Sequence, residues 1–156
     1  MISIRQASPH DPAAQRFVEE LDAYHAALYP AESNHLDPVD ELVKEHVYFV
    51  GAYEGDQMLG CGAVKVMSGG YGELKRMYVH PHARGQGIGR RLLNELENYL
   101  TAAGVPLARL ETGIHQPEAL ALYRKCGYRE RGPFGAYGPD PLSVFMEKSL
   151  MLSNVT

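Results

Sequence analysis

The chain has 156 residues, 45% of them hydrophobic and 22% charged, with a formal net charge of −4. That size and balance describe one globular domain over residues 1–150 with a loose tail at 151–156, and the acidic surplus argues against nucleic acid as the main partner, because a phosphate backbone demands a basic face. No apolar run approaches the ~20 residues needed to span a bilayer, and the two cysteines, Cys61 and Cys126, lack the spacing of a disulfide scaffold or a zinc site, so the expectation is a cytoplasmic protein with no membrane partner and no metal.

Residues 2–7 alternate apolar and polar side chains and predict a first strand. Ser8-Pro9-His10-Asp11-Pro12 supplies cap-like residues, after which Phe17, Val18, Leu21, Tyr24, His25 and Leu28 keep a helical period up to Pro30. Tyr24, His25 and Tyr29 fall close together on its last turns. The simplest role for Tyr24 is packing on a sheet; the functional one makes this region, with the polar loop 31–37, a wall of a substrate pocket. Asp37-Pro38 then offers a cap and a first-turn proline for a short second helix over 37–46.

The period next changes to that of strands. Residues 47–53 and 57–67 flank Glu54-Gly55-Asp56, a hairpin turn, and Ser68-Gly69-Gly70 turns the chain into a further strand over 72–79. These three strands make an antiparallel meander. His80-Pro81-His82 follows, two histidines with no third ligand nearby in sequence and therefore read as loop residues.

Gly85, Gly87 and Gly89 then stand at alternate positions, with Arg84, Arg90 and Arg91 around them, immediately before Leu92, Leu93, Leu96, Tyr99 and Leu100 at helical spacing. A glycine-rich turn at a helix N-terminus suits an anion. The first N–H groups have no intrahelical partner, the dipole is positive there, and no Cβ keeps a phosphate off the backbone. The loop lacks the Lys and Ser or Thr of a P-loop. It also lacks the third glycine of a dinucleotide fingerprint, since Arg90 occupies that place.

Ala103-Gly104 ends the long helix, and residues 107–112 form a short strand, expected to lie parallel to the strand carrying Glu73 through a right-handed crossover. Pro117 opens another helix, through Ala119, Leu122 and Tyr123, that stops at Cys126-Gly127. Residues 128–131 and 142–149 are the last strands, joined by a proline-rich loop over 132–141. Exposed final strands would offer an edge for a homodimer.

Arg84-Gly85-Gln86-Gly87-Ile88-Gly89 resembles the acyl-CoA pyrophosphate loop of the GNAT family of N-acetyltransferases, and the segment from Pro117 to Tyr128 resembles that family's N-x-x-A-x-x-L-Y-x-x-x-G-F segment, with Gln116 where the family usually has Asn. The resemblance covers essentially the whole chain. It implies an α/β (α+β) fold: a mixed, mostly antiparallel sheet of about seven strands with a parallel central pair, and about four helices. It also implies acetyl-CoA as the acyl donor, no metal, and as acceptor a primary amine of a small molecule, amino acid or peptide.

By the same resemblance, Arg84, Gly85, Gln86, Gly87, Ile88, Gly89 and Arg90 would hold the pyrophosphate. Backbone groups of Met77, Tyr78 and Val79, with Gln116, Ala119 and Tyr123, would hold the pantetheine arm and the acetyl group. Tyr123 would be the acid for the leaving thiolate. Glu73 would be the base that takes the amine proton, unless it is a strand carboxylate paired with Lys75 or Arg76, and Glu111 is a second candidate. The substrate would meet Tyr24, His25, Tyr29, Arg76 and Tyr137. Two other readings stay open: a non-catalytic acyl-CoA-binding sensor, and a nicotinamide-dependent oxidoreductase using the glycine loop and Glu111.

Overall fold

A computed structural model of the chain describes residues 1–33, 44 and 46–150. Strand β1 (Ile2–Gln6) leads into helix α1 (Pro12–Leu28), and β2 (Val47–Glu54), β3 (Gln57–Met67) and β4 (Tyr71–Val79) form the meander. Helix α2 (Ile88–Ala102), β5 (Leu107–Gly113), α3 (Pro117–Lys125), β6 (Arg129–Arg131) and β7 (Ser143–Ser149) complete the order. The described residues hold three α-helices rather than the expected four; the additional short helix was expected over 37–46, where positions 37–43 and 45 lie outside the described residues, as does the tail at 151–156. No helix among the described residues is long and apolar enough to cross a membrane.

The strands form one seven-stranded sheet in the order β1-β2-β3-β4-β5-β7-β6. Every neighbouring pair is antiparallel except β4 and β5, which are parallel, as a strand–helix–strand crossover requires. The final strand is not an edge. β7 pairs with β5 along its whole length and is flanked by the three-residue β6, so the sheet ends at β1 and β6. The expected homodimer edge is therefore reduced to the short β6.

Alternation along the strands makes two faces. Val50, Ala52 and Val64 turn to the side of α2, where Ile88, Leu92, Leu93, Leu96 and Leu100 lie almost fully buried. Phe49, Cys61 and Ala63 turn the other way, onto Ala14 and Phe17 of α1. Burying one large apolar side chain of this kind contributes roughly 1.5–3 kcal/mol, so the stripe on α2 is what fixes that helix to the sheet. A third cluster, Tyr71, Phe134 and Phe145, pins the 132–141 loop over β4, β5 and β7.

Two irregularities in β4 position the site. On β3, Cys61 pairs with Tyr78 and Ala63 with Lys75, so Arg76 and Met77 together oppose Gly62 in a bulge. Arg76 is the single described non-glycine residue with left-handed backbone, φ 57. On the other side, β4 and β5 pair only from Tyr71 and Leu107 to Leu74 and Leu110. Beyond that point the two strands part, and the β5-facing edge of Met77, Tyr78 and Val79 opens into a cleft.

Candidate active site

The cleft, about 510 Å³, runs from the parted edge of β4 to the N-terminus of α2 and is walled by α3. Gly85 (φ 84) and Gly87 (φ 75) take left-handed backbone, and nothing lies within 4 Å of where a Cβ would stand on either, so the turn is an open cradle. Gly89 serves differently. It lies inside the first turn of α2, where a Cβ would come 2.9 Å from Leu122 Cδ2, so its absence lets α3 approach. No acidic residue occupies that first turn, which carries Arg90 and Arg91 instead. Cations there oppose the helix dipole, an arrangement that suits a bound anion.

A second, smaller pocket of about 60 Å³ meets the cleft: Leu21, Met77, Gln116, Ala119 and Tyr123 line both. It is walled by His25 and Tyr29 from α1 and its C-terminus, Lys75 and Arg76 from β4, Glu111 from β5, and Tyr137 from the loop. Tyr123 thus stands at the junction. Burial first, and the nearby Glu111 charge second, push its phenol well above the usual 10.0, so it stays protonated at neutral pH and available as a donor.

The two candidate bases are placed differently. Glu73 is 5% exposed and its Oε2 accepts from the Tyr137 hydroxyl at 2.5 Å and pairs with Lys75 Nζ at 3.2 Å. It lines neither cavity, and the pairing alternative describes its contacts. Glu111 lines the smaller pocket, accepts from Ser143 Oγ at 2.8 Å, and places its charge beside Tyr29 and Tyr123.

Gln116 stands where the family resemblance places Asn. Its extra methylene lets Oε1 turn back and accept from the Gly113 N–H (3.0 Å), Thr112 Oγ1 (3.4 Å) and the Tyr29 hydroxyl (3.5 Å). Tyr29 also accepts from the His115 N–H at 3.0 Å and stacks on the His115 ring. His25 Nδ1 lies 3.1 Å from the Leu21 carbonyl; since a carbonyl only accepts, Nδ1 carries the proton. Burial pushes this imidazole below its ordinary 6.5 against that hydrogen bond, and the Arg76 charge adds to the effect.

The other expected site residues divide clearly. Met77, Tyr78, Val79, Arg84, Gly85, Gly87, Ile88, Gly89, Arg90, Gln116, Ala119 and Tyr123 all line the larger cleft, whereas Gln86 is exposed and does not. Tyr24 lines the larger cleft, apart from the smaller pocket where His25, Tyr29, Arg76 and Tyr137 stand. His80 caps the 3₁₀ turn Pro81–Ala83, its Nδ1 accepting from the His82 N–H at 3.1 Å. Sequence reasoning missed Asp22 and Gly113. Asp22, which pairs with the Arg76 guanidinium, sits one turn before His25 on the same helical face, a spacing that could have found it. Gly113 carries no turn signal, and only contact with Tyr29 explains it.

Comparison with known proteins agrees with this geometry. The model of the acetyltransferase (GNAT) family matches residues 13–128. The chain is 51% identical over 150 residues to an IAA acetyltransferase of Azospirillum brasilense, covering 96% of this chain and 98% of the relative. It is 35% identical over 126 residues to the uncharacterized N-acetyltransferase YsnE of Bacillus subtilis, covering 79% and 83%. A crystal structure from Klebsiella pneumoniae assigned to the acyl-CoA N-acyltransferases superposes with a TM-score of 0.82 at 38% identity, covering 96% of this chain and 98% of that one. These matches replace the oxidoreductase alternative. With the glycine cradle at α2 and the parted edge of β4, they establish that the chain belongs to the GNAT family of N-acetyltransferases.

Proposed function

We propose that the protein transfers the acetyl group of acetyl-CoA, in the cytoplasm, to a primary amine of a small molecule, amino acid or peptide by direct attack. The observation that carries this is the meeting of the two cavities at Tyr123: one of about 510 Å³ that reaches from the glycine cradle to the parted edge of β4, the other small and polar. The residues present fit the donor. An open glycine cradle at a helix N-terminus with Arg84 and Arg90 suits a pyrophosphate, and the opened edge of β4 leaves backbone groups at Met77, Tyr78 and Val79 that suit pantetheine amides and the acetyl carbonyl. The Gln116 amide, with Oε1 turned back to Gly113, presents its NH₂ for a further bond.

Acetyl-CoA supplies an acetyl thioester whose carbonyl carbon accepts the amine and whose sulfur leaves. Glu111, at the end of β5 in the smaller pocket, takes the amine proton directly or through a water. Backbone N–H groups of the β4 bulge steady the charge that builds on the carbonyl oxygen. Tyr123, kept protonated by burial, gives a proton to the departing sulfur. His25, Tyr29, Arg76 and Tyr137 frame the acceptor.

Release of free CoA thiol, measured across amino acids, dipeptides, polyamines, aminoglycosides and a lysine peptide, tests this. IAA belongs in the panel because of the Azospirillum relative's name. A strong amine acceptor supports the assignment. Tight acetyl-CoA binding with no thiol release for any acceptor would turn it toward the non-catalytic sensor.

A further inference from the structure

The bulge in β4 is a strained element, and contacts from several directions hold it. Left-handed backbone at a residue with a Cβ persists only where the surroundings over-determine it, and Arg76 at φ 57 is such a residue. From β3, the Cys61 thiol donates to the Arg76 carbonyl, Sγ to O 3.3 Å. From α1, Asp22 accepts from the Arg76 guanidinium, whose side chain is 3% exposed. Opposite the bulge stands Gly62, where a Cβ would lie 2.5 Å from Met77 Sδ, so only glycine leaves Met77 its place.

The direction of the Arg76–Met77 peptide follows. In a trans peptide the C=O and N–H point opposite ways. With the Arg76 carbonyl turned to the Cys61 thiol, the Met77 N–H points away from that thiol, and Met77 itself borders the gap where β4 has parted from β5. Met77 lines both cavities at their junction. A donor fixed there in advance faces the place where charge develops during acyl transfer.

We propose that Cys61 and Asp22 are positioning residues for acetyl transfer: they clamp the Arg76–Met77 peptide so that the Met77 N–H is aimed at the acetyl carbonyl. This rests on the acetyl-transfer function given above. Cys61 is fully buried and lines neither cavity, so it acts only through the Arg76 carbonyl. Burial also pushes its thiol up to about 12, which keeps the S–H donor in place across the working pH range. Asp22 grips the same residue through its side chain, so the two contacts hold Arg76 at its carbonyl and at its guanidinium.

The test uses the full chain with Cys61→Ala, Cys61→Ser, Asp22→Asn and the double variant Asp22→Asn/Cys61→Ala. The first readout is kcat and KM for acetyl-CoA with the best acceptor from the thiol-release panel. The second is the amide proton shift of Met77 on adding acetyl-CoA compared with CoA, which needs no acceptor. Cys61→Ala is expected to lower kcat about tenfold with KM for acetyl-CoA nearly unchanged, and to shrink the acetyl-dependent Met77 shift. Cys61→Ser, which still donates, is expected to restore most of both. Because both residues hold one element, the double variant should lose less than the product of the single losses.

Equal kcat and equal Met77 shifts in the parent and both Cys61 variants would overturn the clamp. So would equal losses in Cys61→Ala and Cys61→Ser with an undisturbed Met77 shift, because that pattern belongs to packing. If Cys61→Ala does not fold, Asp22→Asn, at a side chain 49% exposed, decides by the same two readouts. A parent that binds acetyl-CoA and shows the Met77 shift but acetylates nothing would refute the catalytic function and leave the clamp standing. A parent whose Met77 amide does not distinguish acetyl-CoA from CoA would refute the clamp alone.

Discussion

The Tyr29 hydroxyl occupies the space in which a Gly113 side chain would begin: a Cβ on Gly113 would lie 1.7 Å from that oxygen. The contact joins the end of α1 to the end of β5 and lets Tyr29 bond Gln116 and the His115 N–H. Gly113 does not have positive φ, so its substitution is a purely steric test. Gly113→Ala should expel Tyr29, break both hydrogen bonds, and destabilise the fold by roughly 1–3 kcal/mol for the buried polar groups left without partners. Tyr29→Phe should cost about as much as those bonds alone, ~0.5–1.5 kcal/mol each. Chemical denaturation of both variants checks this; a Gly113→Ala protein as stable as the parent would show that Tyr29 has another place to go.

Arg84 lines the cleft beside the glycine cradle. Arg84→Ala should weaken CoA binding by roughly 1.5–3 kcal/mol, the value of a hydrogen bond to a charged group. Calorimetric titration with CoA measures it. Unchanged affinity would remove the pyrophosphate from this loop.

Tyr123→Phe removes one oxygen from the junction of the cavities and keeps the ring that packs there. Turnover should fall by about 10²-fold, the low end of general acid–base contributions, while CoA affinity stays close to that of the parent. Steady-state kinetics with a CoA titration separates the two effects. Equal rates in variant and parent would leave the sulfur to another donor.

The carboxylates should separate just as their surroundings do. Glu111→Gln is expected to lower kcat with little change in stability, since Glu111 faces the smaller pocket. Glu73→Gln should chiefly lower thermal stability, because the buried carboxylate holds Lys75 and Tyr137. Breaking one partner of a buried ion pair costs about 3–5 kcal/mol. The reverse pattern would make Glu73 the base.

Glu147 on β7 receives both Arg109 and Arg131, each at 2.7 Å. Burial alone would push its carboxyl up, but the two arginine hydrogen bonds outweigh it and hold the group below 4.5. A carboxyl lower in the folded than in the unfolded chain binds fewer protons when folded. Its stabilisation is therefore present above pH 4.5 and lost as pH falls from there through the folded value. Glu147→Gln should flatten that acid limb. Urea titrations of parent and variant between neutral pH and the acid limb show whether the slopes differ.

Much of this was legible in the residue order because it is local. Helical and strand periods, the prolines that start helices and the glycines that stop them depend on neighbours a few positions away, and the described elements fall where those signals placed them to within a residue or two. The glycine turn before α2 was legible for the same reason: a left-handed Gly85 and Gly87 and a helix start are properties of one short stretch. Local signals alone thus suffice for the succession of the described elements and for the glycine turn that opens α2. The tertiary structure alone decided which polar groups meet. Arg76 finds Asp22 across 54 residues and Tyr29 finds Gln116 across 87, Glu73 is drawn into a buried pair while Glu111 faces the pocket, and β7 lies inside the sheet. These outcomes depend on how the packed sheet and helices bring distant side chains together and on where a Cβ would collide, and no local period carries that information.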